Sequence, residues 1–454
     1  MKTMMRISLL LVLLLSSGMA CRNLLPAMND VPGEAPQGIE ISDVTPDADG
    51  ELSDLPDEVI ESGSELLLAD EVYWQQDEDR VLIAFELLNP GGLSIQEIEL
   101  TYKLFDADDG VIKSWMNIRQ INSGLDSLGL VEIAFIDRPL KQVSGVRLEW
   151  VYQISEDDQV IMNAFIPEKV KFWQHEYAAI VSGTVYNLAP NLFQYVDVNV
   201  LLFDQEGKIS GAGVTDIPFI HANDEMAFMA FVDIDGPVDM IKTFPYEAYQ
   251  TVLHDESQSA ENEFMITNAN FYLGEGDRVY GGFEVTSYYN DVLTNTIYLV
   301  TLFDPDGFVT ATGVGIIEVF LPGDDIGLNP FIYLPADKMN PDSFRIDFLL
   351  GHAVAEYVFS DNPFSVISSE LIGEDGWVRV TFQNNHTGGI RNSGIFVLVY
   401  DQDETIIGGA QYWEADQIPA GGIYEKEIWI NYCESRQIDS VRAWVAPITM
   451  TIAE

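Results

Sequence analysis

The chain has 454 residues, with 22 Lys and Arg against 73 Asp and Glu, so its formal net charge is −51. This acidity excludes nucleic-acid binding, because a surface that neutralises phosphates needs a basic face. Hydrophobic residues make up 47% of the chain, which is enough to build cores and excludes a wholly disordered protein. The length predicts about three domains of about 150 residues each.

The N-terminus has the pattern of an export signal. Lys2 and Arg6 precede an apolar stretch over residues 7–15. This stretch is too short to span a bilayer, since a transmembrane helix needs about 20 apolar residues. A short basic segment followed by a short apolar one is typical of a secretory signal peptide.

Residues 17–21 (SGMAC) resemble the processing site of bacterial lipoproteins, although Gly18 stands where that family usually has Leu. The resemblance implies that residues 1–20 are a lipoprotein signal peptide and that Cys21 carries a diacylglycerol. The chain would then be anchored to the bacterial cell membrane and face its extracytoplasmic side. The alternative is an ordinary signal peptide cut near Ala20.

Residues 21–65 are predicted to form a disordered, acidic, Pro-rich tether. They contain five prolines and many carboxylates, and Arg22 is their only basic residue. Such a segment cannot bury enough apolar surface to offset its chain entropy, and its like charges extend it. The only other cysteine, Cys433, lies in a hydrophobic context that predicts a buried apolar residue.

A repeat of about 100 residues covers the rest of the chain. Each copy contains an aromatic residue followed by Asp, and these aromatic residues are 98, 100 and 97 positions apart: Phe105, Phe203, Phe303 and Tyr400. Sixteen residues before each of them lies a small polar residue: Asn89, Asn187, Ser287 and Asn384. The shared register establishes four copies.

Each copy is predicted to contain several β-strands. In the second copy, Val196, Val198, Val200 and Leu202 alternate with polar Asp197 and Asn199. Period-two alternation indicates a strand with one buried face. The strand leads into a turn that begins with Asp and carries Gly207, which predicts a hairpin. The first copy has one more residue before its Gly110. The fourth has Glu404 in the Gly position, so a different turn type is expected in that copy.

The predicted fold is all-β, with four tandem immunoglobulin-like antiparallel β-sandwich domains after the signal peptide and the tether. The domains are predicted at residues 66–170, 171–262, 263–360 and 361–454. No Cys–Trp–Cys core exists in any copy, so these are not true immunoglobulin domains. Alternating patterns place Trp377, Trp429 and Trp444 in the cores.

The repeats resemble the FxLYD family of bacterial secreted and lipoprotein modules. The fourth copy carries the resemblance best, with VTFQNN at 380–385 and FVLVYD at 396–401. The resemblance implies a location in the cell envelope and a non-enzymatic sandwich, and it supplies no catalytic residues.

The residues themselves also predict no enzyme. The five histidines are far apart in the sequence, and no nucleophile elbow, zinc-protease motif or phosphate-binding loop is present. We therefore assign no catalytic residue.

Acidic pairs recur in the hairpin after each aromatic residue: Asp106 and Asp108, Asp204 and Glu206, Asp304 and Asp306, and Asp401 and Asp403. Clustered carboxylates in a turn are hard oxygen ligands of the kind that calcium prefers. The alternative is that the first Asp accepts hydrogen bonds from its own turn, which needs no metal. Calcium is the one cofactor that the sequence suggests.

Four aromatic residues are candidates for ligand binding, because rings on loops or edge strands stack on sugars or anchor protein interfaces. They are Tyr288, Tyr289, Tyr412 and Trp413. The leading hypothesis is a non-enzymatic, membrane-tethered scaffold or adhesin-like protein whose partner is an unknown extracellular protein or glycan. The alternative is a binding module for a glycan or another small ligand of the cell envelope.

Overall fold

The computed structural model describes residues 66–75, 80–92, 95–123, 126–135, 143–154, 164–174, 179–247, 253–254, 263–274, 278–332, 341–354, 357–359, 361–373, 376–448 and 452–453. All helices and strands found in these ranges are β-strands, which confirms the all-β prediction. None of these residues forms a helix that is long and apolar enough to cross a bilayer. The predicted signal peptide, Cys21 and the tether lie outside the described residues.

The first two repeats contain thirteen described strands. Those of repeat 1 are β1 (Leu67–Gln75), β2 (Arg80–Leu88), β3 (Ile95–Phe105), β4 (Val111–Ser123), β5 (Ser127–Phe135) and β6 (Gly145–Ile154). Those of repeat 2 are β7 (Phe165–Gln174), β8 (Ala179–Asn187), β9 (Leu192–Phe203), β10 (Ile209–Ile220), β11 (Glu225–Ile234), β12 (Met240–Glu247) and β13 (Leu253–His254). Strand β7 crosses the predicted boundary at residue 170.

The last two repeats contain the remaining described strands. Those of repeat 3 are β14 (Phe264–Leu273), β15 (Val279–Ser287), β16 (Val292–Phe303), β17 (Val309–Phe320), β18 (Asp325–Leu328), β19 (Ser343–Leu349) and β20 (His352–Val354). Those of repeat 4 are β21 (Phe364–Ile372), β22 (Trp377–Asn384), β23 (Gly389–Ile390), β24 (Ser393–Tyr400), β25 (Ile406–Glu414), β26 (Ile423–Trp429), β27 (Asn431–Tyr432), β28 (Ser440–Pro447) and β29 (Ile452–Ala453).

The same pairing of antiparallel strands recurs in all four repeats. One three-stranded sheet, which we call the A sheet, has the order β1-β2-β5, β7-β8-β11, β14-β15-β18 or β21-β22-β26. The other, the B sheet, has the order β4-β3-β6, β10-β9-β12, β17-β16-β19 or β25-β24-β28. We number these sheets A1 to A4 and B1 to B4. In repeat 2, the pairing of β10 with β11 joins the two sheets.

The hairpin inside each B sheet has the same geometry in all four copies. The residue three positions after the first Asp has a positive φ: Asp109, Gly207, Gly307 and Glu404. A register shift lies beside each of these turns. A turn followed by a left-handed residue and a bulge is a common hairpin connection. The different turn type expected in the fourth copy is therefore wrong, because Glu404, like Asp109 in the first copy, adopts the left-handed conformation that Gly has in the other two copies.

The repeats are stacked face to face, with each B sheet covering the A sheet of the repeat before it. Strands β9 and β12 contact β5, β17 contacts β8 and β11, and β24 and β25 contact β18 and β15. The buried core of repeat 1 accordingly includes side chains of repeat 2: Leu201, Phe203, Ile209, Ala212, Phe244 and Tyr246. Apolar burial therefore runs from one repeat into the next, and strands such as β9 are buried on both faces.

Small residues allow the sheets to approach closely. A Cβ atom at Gly129 of sheet A1 would collide with the Phe244 ring of sheet B2. A Cβ atom at Gly327 of sheet A3 would collide in the same way with the Trp444 ring of sheet B4. An aromatic ring of the later repeat thus occupies the space that a side chain would need in the earlier one.

Polar contacts also join each pair of neighbouring repeats. Lys242 Nζ lies 2.6 Å from Glu86 Oε1, and Arg442 Nη1 lies 3.0 Å from Glu284 Oε1. The equivalent base of repeat 3, Arg345, donates instead to the carbonyl oxygen of Glu225. The same basic position of the last B-sheet strand thus reaches the preceding repeat at all three junctions.

Candidate functional site

The first Asp of each acidic hairpin is a hydrogen-bond acceptor for its own turn. Asp304 Oδ1 accepts from the backbone N–H groups of Asp306 at 3.0 Å and Phe308 at 2.8 Å. Asp106, Asp204 and Asp401 make the equivalent pair of bonds. The recurring acid therefore has a structural role in the hairpin, as the alternative interpretation of the sequence proposed.

The second oxygen of two of these residues contacts a base. Lys171 of repeat 2 lies 3.1 Å from Asp304 Oδ2, and Arg436 Nη1 lies 2.7 Å from Asp401 Oδ2. Burial of each Asp favours the neutral acid, but the backbone N–H donors and the nearby base favour the carboxylate more, so both pKa values are lowered. These two carboxylates are held ionised by protein groups.

The second acids of the four hairpins, Asp108, Glu206, Asp306 and Asp403, are exposed. The eight predicted ligands lie in four separate hairpins. Among the residues that the structure describes, no group of three or more His, Cys, Asp or Glu side chains is placed to hold a metal ion. Calcium binding by these turns stays a prediction.

The four aromatic candidates divide into exposed and packed rings. Tyr288, in the loop after β15, is 53% exposed, and Trp413 on β25 is 52% exposed. Tyr289 packs against the core of repeat 3, and Tyr412 packs against that of repeat 4. The ammonium of Lys426 lies 4.4 Å from the centre of the Tyr412 ring. Of these four candidates, only Tyr288 and Trp413 therefore present rings that a ligand could cover.

Two further exposed indoles lie on sheet A4, where the sequence predicted core positions. Trp377 is 44% exposed and Trp429 is 51% exposed, so the prediction is wrong for both. Trp444 is partly buried against the core of repeat 3, so its prediction is confirmed. Trp377 and Trp429 face each other across β22 and β26. Directly opposite residues of an antiparallel pair have Cβ atoms about 4.5–5.5 Å apart, so the two indoles project side by side.

A charged cluster lies beside the two indoles. Arg379 is paired with Glu427 at 2.8 Å, with Glu425 at 3.2 Å and with Glu370 at 3.5 Å. Glu370, Arg379 and Glu427 form one row across the sheet, because the register pairs Arg379 with both acids. The outer face of sheet A4 thus combines exposed aromatic rings with a cluster of charged hydrogen-bonding groups.

One position of the repeat distinguishes the exposed outer face of sheet A4 from the covered faces of the other A sheets. Five positions before the recurring Asn or Ser, the first three repeats have Ala84, Ser182 and Gly282, whereas the fourth has Arg379. A long charged side chain there is incompatible with the close sheet contact of the earlier repeats. Comparison of this one position between copies would have identified the exposed face.

A shallow pocket lies where repeats 3 and 4 meet, lined by Phe320, Asp324, Asn362 and Trp444 among others. Trp444 Nε1 donates to Asp325 Oδ2 at 2.8 Å, and Asn362 Nδ2 donates to the carbonyl oxygen of Val445 at 3.0 Å. Burial raises the pKa of Asp324 to about 6. These hydrogen bonds of the pocket residues have a structural role, because the first joins repeat 4 to repeat 3 and the second joins two parts of repeat 4.

Comparisons with known proteins identify no family for this chain. No family model matches it, and no curated protein does. Two solved structures that resemble it weakly are dimeric latent PorU from Porphyromonas gingivalis and the C-terminal globular domain of an oligosaccharyltransferase from Pyrococcus abyssi. The first has 9% identity and a TM-score of 0.12 over 84% of this chain and 34% of the other. The second has 11% identity and a TM-score of 0.13 over 64% of this chain and 76% of the other. This chain therefore spans about one third of the first structure's length, and neither similarity supports a functional argument.

Proposed function

We propose that the chain is a non-enzymatic, lipid-anchored extracytoplasmic protein that acts as a surface scaffold or adhesin-like binding protein. Its anchor is the lipid on Cys21, and the acidic tether separates the folded repeats from the bacterial cell membrane. Its partner is an extracellular protein or glycan. No step of this function needs a cofactor.

The observation that carries this proposal is the burial that continues between repeats. Leu201 and Phe203 of β9 belong to the core of repeat 1, while Val198 and Val200 of the same strand belong to the core of repeat 2. Because both faces of such strands are buried, consecutive repeats pack directly on one another without a cleft between them. That arrangement suits a scaffold that holds a binding surface at a distance.

In this proposal each repeat is an immunoglobulin-like β-sandwich domain related to the FxLYD modules. The recurring strand order supports this interpretation, since the A and B sheets of every repeat are antiparallel and enclose apolar residues. The strong negative charge keeps such a protein soluble outside the cell.

The lipid anchor can be tested in a bacterial host that processes lipoproteins. Cells that express the chain are labelled with tritiated palmitate and separated into membrane and soluble fractions. We expect label on the wild-type chain in the membrane fraction and none on Cys21→Ala. Cys433→Ala is the matched control, because Cys433 is buried in repeat 4 and should not change the labelling. Palmitate labelling that persists in Cys21→Ala would contradict the proposal.

Glycan binding is the second candidate function. The exposure of Tyr288 and Trp413 favours it, because an indole or phenol ring left half in water is a suitable platform for the apolar face of a sugar. The test is retention of the chain on polysaccharides.

A further inference from the structure

The outer face of sheet A4 is the one A-sheet face that has no following repeat in the described chain. Its residues lie in rows across β21, β22 and β26. One row consists of Ile372, Trp377 and Trp429, and the next of Glu370, Arg379 and Glu427. On this face an aromatic row therefore lies beside a row of ion pairs.

A further B sheet does not fit this face. On the third strand of sheets A1 to A3, the residue that faces the next repeat is Gly129, Ala227 or Gly327, and on the third strand of sheet A4 the equivalent residue is Glu425. The rings of Phe244 and Trp444 occupy the space above the two glycines. Glu425 and Arg379 fill that space on sheet A4, so close stacking of another sheet is blocked.

The opposite end of the stack is equally unsuited to cover sheet A4 of a second copy. In sheet B1 the position equivalent to Phe244 and Trp444 is Glu149, which pairs with Lys103 at 2.6 Å. Head-to-tail contact would bring the Glu149–Lys103 pair against Glu425, where the other junctions place an aromatic ring over Gly129 or Gly327. The net charge of −51 adds a general repulsion between copies. Neither a fifth repeat nor a second copy of this chain is the natural occupant.

The chemistry of the face matches that of a sugar polymer. Pyranose rings with equatorial substituents have flat apolar C–H faces, which stack on indoles, and rims of hydroxyl groups, which form hydrogen bonds. The contacts of Arg379 use Oε1 of Glu370, Glu425 and Glu427, so Oε2 of each carboxylate is left to accept a hydrogen bond from a hydroxyl group.

We propose that the outer face of sheet A4 binds a neutral polysaccharide with equatorially linked pyranose rings, which stack on Trp377 and Trp429. This inference rests on the second candidate function and assigns its site to residues other than Tyr288 and Trp413. The polymer is neutral because the face has three carboxylates around one guanidinium, which repel an anionic chain. Arg379 positions the carboxylates that bond the sugar hydroxyls.

The test is co-sedimentation of the full chain, purified in detergent, with microcrystalline cellulose and with chitin. Alginate beads are the anionic comparison. The double variant Trp377→Ala and Trp429→Ala removes both indoles, and Trp413→Ala removes an equally exposed indole from β25. Thermal melts check that both variants remain folded at the temperature of the binding assay.

We expect retention on cellulose or chitin but not on alginate, and a loss of affinity of about tenfold or more in the double variant only. Retention that falls in Trp413→Ala and not in the double variant would overturn the inference and leave glycan binding intact. No retention on either neutral polymer would overturn both. A concentration-dependent dimer in sedimentation velocity that the double variant dissociates would show instead that this face joins two copies of the chain.

Discussion

Sheets A3 and A4 have the same strand order, but their central strands differ in burial. The middle of β15 is buried on both faces, because sheet B4 covers it. Strand β22 is fully buried only at every second residue. The difference lies in a few outward positions, where Gly282 and Gly327 of sheet A3 correspond to Arg379 and Glu425 of sheet A4. The side chains at these positions, and not the strand order, therefore determine whether another repeat can pack on the sheet.

The largest effect is expected where a small residue is enlarged at a covered face. Gly327→Val should lower the free energy of unfolding by about 3 kcal/mol, because the added atoms overlap the Trp444 ring. The matched change on the open face, Glu425→Val, should cost less than about 1 kcal/mol, the value of an exposed ion pair. Urea denaturation measures both. Equal losses would contradict the difference between the two faces.

A smaller effect is expected from the ion pair that crosses the junction of repeats 3 and 4. Glu284 Oε1 accepts from Tyr400 and Arg442, and Glu284→Gln should destabilise the chain by about 2 kcal/mol because the buried bonds weaken. The same change at exposed Glu427, which pairs with Arg379, should cost less than about 0.5 kcal/mol. The readout is the urea midpoint of each variant. A loss at Glu427 that matches the one at Glu284 would mean that the cross-repeat location is unimportant.

Asp216, at the junction of repeats 1 and 2, should make the free energy of unfolding fall as the pH rises, whereas a carboxylate in an ion pair makes it fall as the pH drops. Burial and the charge of Asp197 raise the pKa of Asp216 to about 6. The folded state thus binds this proton more tightly than the unfolded state, so the stability that Asp216 contributes is present below pH 4 and is lost as the pH rises through 6. Asp216→Asn should therefore stabilise the chain by about 1–2 kcal/mol at pH 8 and have little effect at pH 4. Melts at both pH values check this, and a gain that is independent of pH would refute it.

The smallest effect concerns the acidic hairpins. Asp304→Ala removes the acceptor of the turn and the contact with Lys171 on the preceding repeat, and should cost about 1 kcal/mol in chelator. Asp401→Ala is the comparison, since its base, Arg436, belongs to the same repeat. If the predicted calcium site exists, the Asp304→Ala loss is larger in millimolar calcium than in chelator. Wild-type melts that calcium does not shift, with magnesium as the control, would eliminate the metal site.

Much of the fold could be predicted because it depends on local patterns. The alternation in β9 predicted a buried face at Val196, Val198, Val200 and Leu202, which is confirmed. The recurring Asn also has a local role, since Asn187 Oδ1 accepts from the backbone of Ala189 and its Nδ2 donates to two carbonyl groups. Such signals lie within a few residues of one another and need no knowledge of the neighbouring repeat.

The stacking could not be predicted in this way, and neither could the exposed indoles. Alternation shows that two faces differ, but it does not show whether a partner covers the second face. In β9 the second face carries Leu201 and Phe203 and is covered, whereas in β22 and β26 it carries Trp377 and Trp429 and is open. The sequence shows a bulky apolar residue at the outward positions of both sheets. Whether that residue is buried or exposed depends on whether a neighbouring repeat packs on it.

The stacking also affects how the nascent chain folds. Phe244 and Tyr246 on β12, the last long strand of repeat 2, belong to the core of repeat 1. The first repeat therefore cannot complete its core until the ribosome has synthesised residue 246. The second and third repeats likewise need strands of the repeat that follows them. Contacts so distant in sequence fold slowly and leave apolar strands exposed for longer. We expect the growing chain to depend on chaperones until its fourth repeat emerges, because the A sheet of that repeat carries Arg379 and Glu425 where the earlier sheets require a covering sheet.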